Sequence, residues 1–367
     1  MVQIAATIKV DKKAAPDLLA AALELEVETD IRLASSFRIR LATFRQGDGT
    51  WGFLDDDRLQ LWKPVEVSAS LDENEQQLIS GYITQIAAHI DPNKGGSYVE
   101  IMGMDATCLM NLEEKIKDWP NKTDSDIARE IFSNYNLKSV IDDTGVVHDD
   151  KAATIIQRDT DIQFLKRLAR RNGFECLVRG DTGFFRKPML SAPSQPVLAA
   201  QFGSDTTLGS LDARVNAMRP MRVEMHQIDV IGKQLQAATA DTGQQKQLGS
   251  TPALSLSVPN GVQSKMFVKQ DVCVNQQEMQ NLCRALFDEA EWFAQASGKI
   301  DTAAYGAVLQ IMQPVPVKGA GTMFSGLYYV INVKHTFALN GYTQEFTARR
   351  NALAPNASDF AAGPSLF

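Results

Sequence analysis

Leu59 to Val67 reads LQLWKPVEV, and Leu309 to Val317 reads LQIMQPVPV. Leu, Gln, Pro and both Val residues stand at the same offsets in the two stretches. The likeness runs on downstream. Ser80-Gly81 leads into Tyr82 and His89, and Ser325-Gly326 leads into Tyr328 and His335, with the same Tyr-to-His spacing. Each stretch then enters a Gly-containing turn and leaves it on a Tyr-led run, Tyr98 to Met104 and Tyr342 to Arg349. Any two strand pairs share some alternation, but a shared Pro, a shared spacing and a shared order mark one unit used twice. The expectation is two copies of one small β-barrel in a single chain. Pro64 and Pro314 should lie at an edge or a bulge, because Pro cannot donate to a ladder. His89 and His335 are expected at equivalent structural positions.

The rest of the chain is read around that pair. Phe37, Ile39 and Leu41 alternate with Arg38 and Arg40, as in a half-buried strand. Gly81 to Ile90 and Ser97 to Met104 read as a hairpin around Asp91 to Gly96. Residues 1–106 therefore read as the first small barrel or sandwich. Residues 107–200 change character: Ile127, Ala128, Ile131 and Phe132 recur at helical spacing, so this segment is a small inserted α/β domain. Residues 201–350 are the second barrel, with Arg214 to Gly232 as an alternating run and 234–251 as a mobile loop. Met279, Leu282, Cys283, Leu286, Ala290 and Phe293 trace one long helix over 275–298, ended by Gly298. Trp292 and Phe293 on it are candidates for an interface or for core packing. Residues 351–367 read as a flexible tail. The fold class is mainly β (α+β).

Within the insertion, Gln157 to Val178 reads QRDTDIQFLKRLARRNGFECLV. Thr160 and Gln163 have capping-box spacing, and Asp161 suits the first turn of a helix. Ile162, Leu165, Leu168 and Ala169 make an apolar face. Asn172-Gly173 supplies a left-handed stop, and Phe174, Cys176 and Val178 alternate. Gln157, Thr160, Asp161, Phe164, Leu165, Arg167, Leu168, Ala169, Gly173 and Phe174 also fit a known pattern. The run resembles the signature of the phage late control D family, the tail hub proteins of contractile phages and the hub half of VgrG-type spikes.

Composition bounds the function. The chain has 367 residues, 44% hydrophobic and 22% charged, with a net charge of −7. That is an ordinary globular composition, and its acidic balance argues against nucleic acid as a partner. No apolar run reaches membrane-spanning length, and the N-terminus lacks the pattern of a secretory leader. Cys108, Cys176, Cys273 and Cys283 form no C-x-x-C pair and read as reduced core residues. His148-Asp149-Asp150 is read as a solvated polar loop rather than a metal site. Neither H-E-x-x-H, G-x-S-x-G nor a Walker pattern occurs. No catalytic, cofactor-binding or metal-ligating residue is expected.

The resemblance implies a structural role: a baseplate hub of a contractile injection system or phage tail. It implies a homotrimer whose six barrels present approximate six-fold symmetry. The implied partners are an inner tube protein, a separate VgrG-like spike chain and other baseplate proteins. Assembly in the bacterial cytoplasm and residence in the baseplate follow from the same likeness. The rival readings are a tail-associated peptidoglycan hydrolase and a glycan- or receptor-binding β protein, the latter with only 8% aromatic residues to support it.

Overall fold

The structure is a computed structural model and describes residues 4–71, 74–92, 95–150, 155–219, 221–229, 232–256, 258–339 and 341–360. Its first part contains β1 (Ile4–Val10), α1 (Pro16–Ala21), β2 (Ala22–Asp30), β3 (Ser36–Ala42), β4 (Pro64–Leu71), β5 (Asn74–His89) and β6 (Tyr98–Asp105). Then come α2 (Asp124–Asn134), β7 (Lys138–Ile141), α3 (Asp161–Asn172), β8 (Glu175–Arg179) and β9 (Thr182–Arg186). The remainder holds β10 (Leu198–Ala199), β11 (Leu208–Val215), β12 (Arg222–Ile228), β13 (Leu235–Ala240), β14 (Lys265–Val268) and α4 (Gln276–Ala290). It closes with β15 (Ala294–Ile300), β16 (Pro314–Lys318), β17 (Gly326–Ala338) and β18 (Gly341–Arg350). The fold is mainly β, with one thirteen-stranded sheet and several small ones.

The large sheet is one motif laid down twice. Its first half runs β2-β3-β6-β5-β4-β1 and its second β11-β15-β18-β17-β16-β10. The copies agree in detail. The register slips by one residue between Ala22 and Glu24 of β2, and between Leu208 and Ser210 of β11. It slips again between Ile83 and Gln85 of β5, and between Val330 and Asn332 of β17. Trp62 and Met312 both take left-handed backbone, at φ 68° and 65°. Their amides donate to the carbonyls of Ile83 and Val330, whose own amides donate to Lys63 and Gln313. The copies differ in that β1 runs antiparallel to β4, whereas β10 runs parallel to β16, and in a slip between Val67 and Ser68 of β4 that β16 lacks.

Each half surrounds its own apolar core. Leu25, Ile39, Val67, Ile83 and Ile101 belong to the first, and Leu309, Val315, Tyr328, Val333 and Phe346 to the second. Pro64 and Pro314 each open their strand, after the left-handed turn, so no ladder donor is lost. Pro64 faces Tyr82 and Pro314 faces Tyr329. The true counterpart of Tyr82 is therefore Tyr329, not Tyr328, and the paired slips carry this one-residue shift along the strand. His89 matches Thr336, and Ala88 matches His335. A shift of one residue exchanges the faces of a strand. His89 is accordingly exposed and stacked on Tyr98 at 4.9 Å, while His335 is 1% exposed. The expected equivalence of the two histidines does not hold.

Several other expectations are corrected. The helix expected over 275–298 ends at Ala290, because Ala294–Ile300 is taken as β15 between β11 and β18. Gly298 is not a helix stop but a strand position where any Cβ would run into the Ser210 carbonyl. Arg214 to Gly232 is not one strand: Asn216 turns the chain, its side chain accepting from Met218 N at 2.9 Å, and β11 and β12 lie in different sheets. The loop expected over 234–251 contains β13, whose small Ala238 and Ala240 let it lie close against α4. Leu248 beyond it is fully buried, held by Asn351 and Arg350. Residues 351–360 pack too, with Ala352–Leu353 paired to Thr251–Pro252. Positions 361–367 of the expected tail, and Asn93 and Lys94 of the expected hairpin turn, lie outside the described residues.

Candidate assembly surface

The two half-sheets meet where β2 pairs antiparallel with the later part of β17, from Asn332–Asp30 to Ala338–Glu24. The inner face of this joint is mostly apolar, with Leu25, Val27 and Val333 fully buried beside His335. Its outer face is a charged ladder across four strands. Arg38 sits among Glu24, Glu26 and Glu100; Arg40 reaches Glu100 at 3.1 Å; Lys334 reaches Glu26 at 2.5 Å. Burial pushes the Glu26 carboxyl up, but hydrogen bonds from Lys334 and Arg38 outweigh it and hold it below the usual range. Asn332 Nδ2 donates to Glu28 and Asp30 at 2.8 and 3.0 Å. Alternation alone dictates this split, since one side chain in two faces each way.

The inserted α/β segment is fastened to the second half by β8. Cys176 and Val178 point into the insertion's own core, as their alternation implies. The opposite face is buried as well: Leu177 enters the second core. Glu175 lies on that face, where Tyr329 Oη donates to it at 2.7 Å and Arg349 stands at 3.8 Å. Burial pushes its carboxyl up to about 7, with Arg349 and Tyr329 opposing. The Arg349 guanidinium lies over the Trp292 ring at 4.2 Å and pairs with Glu289 at 3.1 Å. Trp292 and Phe293 are thus not on the long helix. Trp292 stacks on Tyr329, and Phe293 is buried with Ala294 and Leu353.

A second buried network was not foreseen. Asp124 at the start of α2 accepts from His148 Nε2 at 2.9 Å, from Arg171 and from Asn172 Nδ2 at 2.6 Å. Arg171 also pairs with Glu278, in the first turn of α4, at 2.9 Å. One guanidinium at the end of α3 therefore ties three helices together. Burial pushes Asp124 up, but His148 and Arg171 outweigh it and hold the carboxyl low. His148, expected in a solvated loop, is buried here. The sequence carried the signal as charges at helix ends, each of which has a sufficient local explanation in the helix dipole.

The Gln157–Val178 motif is structural in the same way. Thr160 Oγ1 accepts from Gln163 N, and Gly173 closes α3 at φ 67°. The Gln163 side chain donates to Asn111 instead of back to the cap, so only half of the capping box forms. Gln157 accepts from Trp119 Nε1 at 3.1 Å and donates to Asp161 at 2.7 Å, which Tyr135 and Lys115 also reach. His335 donates to or accepts from Tyr342 Oη at 2.7 Å, and burial takes its ring down to about 3. Among the described residues no group of three or more His, Cys, Asp and Glu is placed to hold a metal. No helix among them is long and apolar enough to cross a membrane.

Comparison with known proteins adds to this geometry. The family described as the Alg8 N-terminal domain matches residues 2–338. The chain belongs to that family. Its name differs from that of the late control D family, which the Gln157–Val178 run resembles. No curated protein matches the sequence. Among solved structures, the chain is similar to a tail protein from Neisseria meningitidis MC58, at 14% identity and a TM-score of 0.68, over 96% of this chain and 99% of that one. It is similar to the prophage MuSo2 43 kDa tail protein from Shewanella oneidensis, at 11% identity and a TM-score of 0.65, over 95% and 99%. It is also similar to the E. coli c3393 protein, a component of the type VI secretion system, at 12% identity and a TM-score of 0.54, over 96% and 79%. The fold is shared with these tail and secretion-system proteins.

Proposed function

We propose that this chain is a structural hub of a phage tail or contractile injection system baseplate. It acts as a homotrimeric adaptor between a six-fold inner tube and a three-fold spike. The observation that carries this reading is the duplicated half-sheet, with matching strand order and matching slips in both copies. Two near-equivalent halves per chain let three chains offer six near-equivalent faces, which reconciles the two symmetries without an uncovered sheet edge. The likeness of fold to tail proteins supports the same reading. The buried ion networks serve it mechanically, since they join the inserted segment to the second half through α3, α4 and β8.

Native mass spectrometry of the purified chain, and image reconstruction of particles that contain it, test the proposal. Three copies on a three-fold axis are expected. A single copy, or a true six-fold ring of this chain, refutes it. A peptidoglycan zymogram of the same preparation is expected to show no clearing.

A further inference from the structure

The chain contains an internal joint and two strand edges that match its two sides. In the joint, β2 of the first half pairs with the later part of β17 of the second. The counterpart of β2 is β11, and the counterpart of that part of β17 is Gln85–His89 of β5. Both lack the neighbour that the joint supplies. β11 has β15 on one side only. Gln85–His89 pair with β6, while β5 meets β4 only as far as Tyr82. Among the described residues neither edge has a strand on its other side.

Burial reports the same vacancy on the inner face. Leu25 and Val27 of β2 are fully buried, but their counterparts Leu211 and Ala213 are only half-buried. Val333 and His335 of β17 are buried, but their counterparts Ile86 and Ala88 are half-buried and exposed. We propose that the Gln85–His89 edge of one chain takes β11 of a second copy as its next strand, antiparallel and in the register of the internal joint. Carrying that register over places Ile86 opposite Val215, Ala88 opposite Ala213 and Ile90 opposite Leu211 on the inner face. It places Ala87 opposite Arg214, and His89 opposite Asp212, on the outer face. Apolar thus meets apolar at each inner position and His89 meets Asp212 outside, although side-chain chemistry played no part in fixing the register. Cross-strand pairs of this kind are the unit of sheet stabilisation.

The contact is head-to-tail, so it closes into a ring or grows into a filament according to its rotation. Every external joint repeats the internal one, so a ring alternates the two and all half-sheets become equivalent. The number of chains in the ring rests on the proposed trimer; the joint itself does not.

Disulfide trapping tests it. Opposed residues in an antiparallel pair have Cα atoms about 4.5–5.5 Å apart, within disulfide reach. The double variant Ala87→Cys/Arg214→Cys is expected to form a reductant-sensitive link between chains on oxidation. Each single variant, and the out-of-register pair Ala87→Cys/Asp212→Cys, is expected to form little. Glu28→Cys/Lys334→Cys, the same positions in the internal joint, is expected to close within one chain and so proves that the geometry permits the bond. Three copies by native mass without the in-register link overturn the joint and spare the trimer. The link with a different copy number upholds the joint and overturns the trimer. A monomer without the link overturns both.

Discussion

Replacing Glu175 by Gln removes a carboxylate from between two apolar cores while leaving an acceptor for the Tyr329 hydroxyl. Burial lifts this carboxyl from 4.5 to about 7. At about 1.36 kcal/mol per pH unit, ionising it in place costs about 3 kcal/mol. The sign follows from proton binding. The folded chain holds this proton more tightly than the unfolded chain does. Its contribution to stability is therefore full below 4.5 and is lost as the pH climbs through 7. Gln carries no such dependence. The stability of Glu175→Gln relative to the unaltered chain should thus rise by about 3 kcal/mol between roughly pH 4 and pH 8. Urea unfolding at both pH values, followed by tryptophan fluorescence, measures the change directly. Trp292 lies against Arg349 beside the substituted group, so the signal reports on the right region. A stability gap that stays constant across the range, or that moves against the variant at high pH, refutes the argument.

Two further predictions concern packing and charge. Arg171→Ala leaves Asp124 and Glu278 buried without their shared cation and should cost about 3–5 kcal/mol in urea unfolding; a loss under about 1 kcal/mol contradicts the lock between α2, α3 and α4. Gly103→Ala drives a methyl into the Phe37 ring and the Tyr82 carbonyl and should cost about 1–3 kcal/mol. The double variant Phe37→Ala/Gly103→Ala recreates the Ala–Ala pair found at Ala296 and Ala348; it should cost less than the two single changes summed, because the ring that the methyl strikes is gone, and strict additivity counts against the equivalence.

That last comparison also explains how much of the fold was legible. The shared Pro, the Leu-Gln start and the turn positions exposed the repeat because backbone requirements fix them. Tyr82 and Tyr329 face Pro64 and Pro314 for the same reason. Elsewhere the copies trade volume across a strand pair. Phe37 with Gly103 becomes Ala296 with Ala348, and Ile39 with Ile101 becomes Gly298 with Phe346. Every residue of these pairs changes, which hides the likeness from a reading of one strand at a time. The misplaced histidines have another cause: the second copy offers two adjacent tyrosines, Tyr328 and Tyr329, and only the pairing with Pro314 picks out Tyr329. Thr160 and Gly173 were legible because caps are local. Glu175 and Arg349 were not, because a buried charge is defined by what the distant chain brings to it. Trp292 and Phe293 were misassigned because helical spacing continued past Ala290, where pairing with β11 and β18 outcompetes it.

The joint between the halves bears on how the polypeptide matures during translation. Thr29 and Val333 adjoin across it, yet they are 304 residues apart in sequence. When residues 4–105 have left the ribosome, they can complete their own half-sheet except along the outer side of β2, whose partner has not been synthesised. An open edge of this kind invites pairing with other nascent chains. Glu24, Glu26 and Glu28 line the solvent face of that strand. Arg38 and Arg40 belong to the same half and already balance Glu24 and Glu26, whereas Glu28 meets Asn332 only when β17 arrives. The carboxylate of Glu28, which later accepts from Asn332 across the joint, thus first places a charge on the open strand, and edge charges disfavour premature pairing.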